Sequence, residues 1–182
     1  GKKVRDSKRG GYGKISIARA FEVSSNTGIV KAIHGAYKDN PEKFVDGLYR
    51  MNLQNSLELP LIGEGLSIIP DPRIKNGRWS GIALEWMAYG YGVSFTPLQT
   101  LTFYNAIANG GVMVRPKFLR EIKEIDASIE TFETEVINPQ ICSKETVLKL
   151  QQLLKNVVQK EYGTGHKLYS EKFSMAGKTG TC

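Results

Sequence analysis

Apolar and polar positions along the chain follow two rhythms, one near 3.6 residues and one near two, broken by clusters of glycine, proline and asparagine. Five stretches carry helix signals. Ser143 stands as an N-cap before a segment in which Val147, Leu150, Leu154 and Val157 share one face, with Gly163 past its end. Thr96-Pro97-Leu98-Gln99 places a capping hydroxyl, a proline at the first helical position and a glutamine at the third, which is the pattern of a capping box. That helix is predicted to run to Ala108, where Asn109-Gly110-Gly111 offers a left-handed exit. Asn40-Pro41-Glu42 opens a helix ending near residue 51, and two more are predicted over residues 16–23 and 27–37. Alternation predicts strands over 117–125, 130–137 and 173–181. Residues 52–82, broken by Pro60, Gly63, Gly65, Pro70, Pro72 and Gly77, read as a long irregular connection, which in a compact domain usually serves a function or covers a site. The pattern is that of an α/β domain, helix-rich in its middle, with strands toward its C-terminal end.

Composition narrows the classes. The 182 residues are 41% hydrophobic and 24% charged, ordinary for a folded soluble domain and too apolar for intrinsic disorder. The longest apolar run is the four residues from Trp86 to Tyr89, so these bounds hold neither a transmembrane helix nor a signal peptide. Two cysteines, Cys142 and Cys182, and two histidines, His34 and His166, lack the spacing of a disulfide framework or a zinc ribbon. The net charge of +7 is concentrated at one end: residues 1–10 carry five cations against Asp6, a net of +4. A short basic run beside two glycines reads as a solvated loop, and no Cys/His finger or aromatic-studded strand accompanies it. A nucleic-acid partner is therefore not expected.

Two short motifs carry candidate chemistry. Gly177-Lys178-Thr179 invites a phosphate-loop reading, but the glycine that such a loop needs five positions earlier is Lys172. Read instead as Lys178-Thr179-Gly180-Thr181 on a strand, the segment projects a cation and alternate hydroxyls into a cleft. Gly180 then lets a peptide lie close, its carboxylate held by the lysine and hydroxyls. Ser24-Ser25-Asn26 has an ordinary reading, one helix ending and the next being capped. It also has a functional one: a Ser-x-Asn set in which Ser24 relays a proton and Asn26 binds a substrate amide. Ser-x-Asn followed far downstream by Lys-Thr-Gly is a combination of serine acyl-transfer enzymes.

Three segments, in order, resemble class B penicillin-binding proteins. Residues 20–28 (AFEVSSNTG) are similar to the segment around that family's second motif. Residues 87–111 (MAYGYGVSFTPLQTLTFYNAIANGG) resemble its Gly-Tyr-Gly to Ala-Asn-Gly-Gly signature, and residues 175–181 (MAGKTGT) its third motif. Within the class, the chain looks most like the septal, division-specific peptidoglycan D,D-transpeptidases. The family's first motif, a Ser-x-x-Lys carrying the nucleophile, has no counterpart, because no serine here has lysine three positions later. Thr164-Gly165-His166-Lys167 has the spacing with threonine, but it follows the second motif and sits in a glycine-flanked turn.

The resemblance implies a transpeptidase-like fold, an antiparallel sheet flanked by helices, of which residues 1–182 would be an interior part. The helix bearing Ser-x-x-Lys would precede it, and the last strands and helix would follow. It implies cross-linking of peptidoglycan stem peptides through a serine acyl-enzyme, inhibition by β-lactam antibiotics, no cofactor or metal, septal division proteins as partners, and a membrane-anchored location on the extracytoplasmic face. As site residues it implies Ser24, Asn26 and Lys178 as catalytic, with Thr179, Gly180 and Thr181 binding substrate or forming the oxyanion hole, and no nucleophile in the chain. A β-lactam-sensing or catalytically silent penicillin-binding module on the same fold is the alternative.

Overall fold

The computed structural model describes residues 3–75, 77–125 and 127–180. In chain order it contains α1 (Ile17–Glu22), α2 (Asn26–Tyr37), α3 (Pro41–Arg50), α4 (Ala83–Ala88), α5 (Pro97–Ala108), β1 (Met113–Val114), β2 (Glu121–Glu124), β3 (Ala127–Thr131), β4 (Val136–Asn138) and α6 (Lys144–Gln159), followed by a 3₁₀ turn at His166–Leu168. Every helix predicted from its caps is present. At α5 the Thr96 hydroxyl accepts the Gln99 N–H at 3.1 Å and the Gln99 side chain accepts the Thr96 N–H at 2.8 Å, closing the capping box. Gly110 and Gly111 take φ of +66° and +98° after its last turn, the left-handed exit expected of them. Ser143 accepts the Thr146 N–H at 3.2 Å and so caps α6. Thr96→Ala should lower unfolding free energy by about 1 kcal/mol in urea denaturation, and an unchanged midpoint would refute the cap's role.

The chain divides into two units. One comprises the described residues of 47–68 and 94–147. Its buried apolar side chains include Leu57, Ala106, Ile107, Met113, Ile141 and Val147, and α5 packs on β1. β1 pairs antiparallel with β4, and β2 with β3 as a hairpin. Alternation alone put strands at 117–125 and 130–137. Pairing trims the first to Glu121–Glu124 and divides the second between β3 and β4, because only residues with a ladder partner satisfy their backbone groups as strand. Arg115 fastens this unit: its guanidinium binds both Glu135 carboxylate oxygens at 2.7 Å and also reaches Glu58 and the Leu57 carbonyl. Where the irregular connection lies in this unit, the Glu64 carboxylate accepts the Leu59 and Leu57 N–H groups and the Ser56 hydroxyl, and these bonds hold its carboxyl below the usual range.

The other unit comprises the described residues of 1–46, 69–93 and 148–182. α2 packs against both α1 and α4, over buried Ala20, Val23, Ala83, Leu84 and Met87. The approach of α1 to α2 depends on Gly28, where a Cβ would stand 2.6 Å from the Ala20 Cβ. Leu154 and Val157 of α6, on the face that the 3.6 spacing predicted, are buried in the same unit together with Val158, whereas Leu150 of that face is half-buried. The strand expected over 173–181 is corrected by the structure: the described residues, 173–180, take no regular structure. They hold their place through the Gly177 N–H, which donates to the Leu154 carbonyl at 3.1 Å, and no ladder partner reaches them among the described residues. Among those residues no helix is long and apolar enough to cross a membrane.

Candidate active site

Two adjacent serines join α1 to α2, and each does a different job. Ser24 takes φ of +54°, the left-handed position that usually belongs to glycine at a helix end. Its N–H donates to the Phe21 carbonyl at 3.1 Å and the Ser25 N–H to the Ala20 carbonyl at 2.8 Å, the paired bonds of a Schellman ending. Ser25 then caps α2, accepting the Gly28 N–H at 3.0 Å. The ordinary reading of this segment, one helix ending and the next being capped, is what these bonds show. A non-glycine in this conformation is strained, and the Ser24 side chain is held by partners far along the chain.

Glu22, buried at 4% exposure, fixes this corner against the end of α6. Its carboxylate accepts the Asn156 amide at 2.6 Å and the Tyr162 hydroxyl at 3.0 Å, and its carbonyl accepts the Thr164 N–H at 3.2 Å. Beyond α6 the chain turns through buried Gly163 and Gly165, whose N–H groups donate to the Lys160 and Val157 carbonyls. This turn delivers Thr164. The Gly177 bond to Leu154 delivers the segment carrying Lys178.

The delivered side chains meet. The Lys178 ammonium donates to the Ser24 hydroxyl, across 154 positions of sequence, and to the Thr179 carbonyl at 3.1 Å. Ser24 Oγ stands 3.3 Å from both Thr164 Oγ1 and Thr179 Oγ1, which are 2.7 Å from one another. The Phe21 ring lies 5.8 Å from the ammonium. Among the described residues no carboxylate pairs with Lys178. Its burial pushes the ammonium below the ordinary lysine value. The result is an unpaired, half-buried cation beside three hydroxyls, two of them on exposed residues. Such a set can bind a carboxylate and pass a proton along hydroxyls.

Of the residues expected from sequence, Ser24, Lys178 and Thr179 come together. Asn26 is spoken for elsewhere, since its amide donates to the Arg5 carbonyl at 3.0 Å. Gly180 is exposed, with nothing within 4 Å of where a Cβ would be. Thr181 lies outside the described residues. Thr164, not among the residues expected from sequence, joins this cluster through its contacts with Ser24 and Thr179. His34 pairs with Glu85 at 2.6 Å and His166 stacks on Tyr169, away from this cluster.

Compared with known protein families, residues 1–182 match the one described as the penicillin binding protein transpeptidase domain. The chain is 30% identical over 183 residues to penicillin-binding protein PbpB of Mycolicibacterium smegmatis, covering 98% of this chain and 27% of that protein. It is 28% identical to stage V sporulation protein D of Bacillus subtilis, covering 100% of this chain and 27% of that one. With peptidoglycan D,D-transpeptidase FtsI of Escherichia coli K12 it shares 26% identity over 81% of this chain and 23% of that protein. The chain thus spans about a quarter of the length of these relatives. Among solved structures, penicillin-binding protein 3 of Mycobacterium tuberculosis complexed with ampicillin superposes with a TM-score of 0.73 at 29% identity, covering 88% of this chain and 35% of that one.

Proposed function

Since the chain belongs to the penicillin-binding protein transpeptidase family, we propose that it forms part of the site at which a peptidoglycan D,D-transpeptidase cross-links stem peptides through a serine acyl-enzyme. The observation that carries this reading is the unpaired Lys178 ammonium among the hydroxyls of Ser24, Thr164 and Thr179. A stem peptide ends in a carboxylate, and a desolvated cation flanked by hydroxyl donors is what a carboxylate needs to leave water. The open space beside Gly180 suits a peptide backbone laid along residues 178–180.

In this reading Ser24 relays the proton between nucleophile and leaving amine, with Lys178 holding its hydroxyl in place. Thr179 and Thr181 take the substrate carboxylate, the Thr181 N–H contributes to the oxyanion hole, and Asn26 holds the substrate amide. The amide of Asn26 would then have to exchange the Arg5 carbonyl for substrate. The nucleophilic serine and its lysine belong to a Ser-x-x-Lys outside these residues, within the same domain. β-Lactams would acylate that serine by the same route, and ampicillin is bound in the similar mycobacterial protein. We extend this reading to a septal role, with division proteins as partners at the outer face of the cytoplasmic membrane, and the similarity to peptidoglycan D,D-transpeptidase FtsI supports it.

Ser24→Gly separates the two jobs of that residue. Glycine suits the left-handed position, so stability should stay within about 1 kcal/mol. Without the hydroxyl relay, covalent labelling of the intact protein by a fluorescent penicillin should slow by roughly 10²-fold or more. Intact wild-type protein that takes no label and releases no D-alanine from a stem pentapeptide would sink the enzymatic reading. Labelling without D-alanine release would assign a sensing module instead.

A further inference from the structure

Basic residues near the start of the chain read from sequence as a solvated loop; in the structure that loop is pinned at both ends. On one side the Arg5 carbonyl accepts the Asn26 amide, and the Asp6 carboxylate accepts the Thr27 N–H at 2.9 Å, the Thr27 hydroxyl at 2.8 Å and the Ser25 hydroxyl at 3.1 Å. On the other side the Tyr12 hydroxyl donates to the Val23 carbonyl at 3.2 Å. Between the pins the loop curls through Gly10 and Gly11, both in left-handed conformation, with the Gly11 N–H bonded to the Lys8 carbonyl. Lys8 rests over the Tyr12 ring.

The loop and α2 enclose a cleft of about 880 Å³. Arg5, Lys8, Arg9, Lys14 and Lys31 line it, all on exposed residues, and among the described residues Asp6 is its only carboxylate. Among the described residues none of these five cations joins an ion pair. Although burial opposes its charge, the hydrogen bonds from Thr27, Ser25 and Asn26 hold the Asp6 carboxyl below its usual range, so it stays an anion committed to the start of α2. The braced loop, the residues just after it and α2 bring five like charges around one cleft, where they repel one another and an anion would relieve that repulsion. Ile15 and exposed Ile17 add an apolar strip to the same wall.

We propose that this cleft is a binding site for a phosphate-bearing anion. The cleft is large enough for more than one phosphate, and the strip at Ile15 and Ile17 would accommodate an acyl chain beside a headgroup. The site is separate from the Lys178 cluster, so it stands or falls independently of the enzymatic reading.

The test uses the intact protein and a triple variant, Lys8→Gln, Arg9→Gln and Lys31→Gln, none of which takes part in the transpeptidase site or in the pins. Binding of tripolyphosphate is measured by calorimetry. Binding of phosphatidylglycerol vesicles, against phosphatidylcholine vesicles, is measured by co-sedimentation, each at two salt concentrations. Each cation near an anionic surface is worth roughly fivefold, so the variant should bind on the order of 10²-fold more weakly, with both proteins weakened by salt. Tripolyphosphate binding that the variant loses assigns a soluble phosphate ligand, and vesicle binding alone that it loses assigns a lipid headgroup. No binding of either probe by the wild type, or equal binding by the variant, overturns the proposal. Unchanged penicillin labelling and thermal melting of the variant confirm that it is folded.

Discussion

Lys178→Ala in the intact protein should slow acylation by a penicillin on the order of 10²–10³-fold, the range seen when one preorganised charge-stabilising donor is removed from an acyl-transfer site. The substitution deletes the donor to Ser24 Oγ and the only cation in contact with the cluster's hydroxyls among the described residues. Three hydroxyls remain, yet none carries the charge that a substrate carboxylate requires. Stability should barely change, and linkage gives the sign. Burial lowers the Lys178 pKa in the folded protein, so between the folded and the ordinary value the unfolded chain binds more protons and stability rises with pH. At neutral pH the half-buried ammonium therefore opposes folding, and removing it gives up no net folding energy from its charge. The same shift predicts an alkaline limb for acylation, the rate falling as pH rises through a value below that of an ordinary lysine. Lys178→Arg should move that limb out of the accessible range, because a guanidinium does not lose its proton there. Equal labelling rates for wild type and Lys178→Ala, both folded by circular dichroism, would remove Lys178 from the site.

Gly163→Ala should be the most damaging small substitution near the site. A Cβ there would stand 2.2 Å from the Val157 carbonyl oxygen, 2.7 Å from its carbon and 2.8 Å from the Asn156 carbonyl oxygen. All three are backbone atoms of the last turns of α6, so no side chain can swing aside. The Gly163 N–H is itself tied to the Lys160 carbonyl at 2.7 Å, which limits how far the turn can shift. Overpacking of this kind costs about 2–3 kcal/mol, read as a lower denaturant midpoint. Any relief must move Thr164, the next residue, away from Ser24 and Thr179. Acylation should thus fall even at temperatures where the variant stays folded. Thr164→Val, which removes only the hydroxyl, separates the two effects: it should keep most of the stability while slowing acylation. A Gly163→Ala protein with wild-type midpoint and labelling rate would show that α6 and the turn do not approach so closely.

Local chemistry made the helices legible. Ser16, Ser25, Thr96 and Ser143 each accept an N–H at the start of a helix, a bond that a residue makes with neighbours two or three positions away. α4 escaped because, unlike the equally short α1, no side chain caps its start, and β1 because two residues are too few to display a period. Alternation misled over residues 173–180 because it specifies faces and not partners, and a strand exists only where a partner accepts its hydrogen bonds. At the site, Ser24, Lys178 and Thr179 could be singled out because each sits in a motif. Thr164 could not, since its contacts with Ser24 and Thr179 span 140 and 15 positions and leave no local trace. Nor could the bond between Asn26 and Arg5, which engages a residue expected to face substrate.

The unit that carries the cluster is written in three separate stretches of the chain, with the other unit's residues lying between them. A ribosome making this protein completes Ser24 and Glu22 long before it adds Asn156, Tyr162, Thr164 and Lys178. Until then Glu22 lacks both side chains that satisfy its carboxylate in the finished fold. The corner between α1 and α2 has its local bonds from the start, but its anchorage to α6 must wait for the synthesis of more than a hundred residues. A chain interrupted before residue 156 would carry Ser24-Ser25-Asn26 intact yet lack Thr164, Lys178 and Thr179, the residues that gather around Ser24.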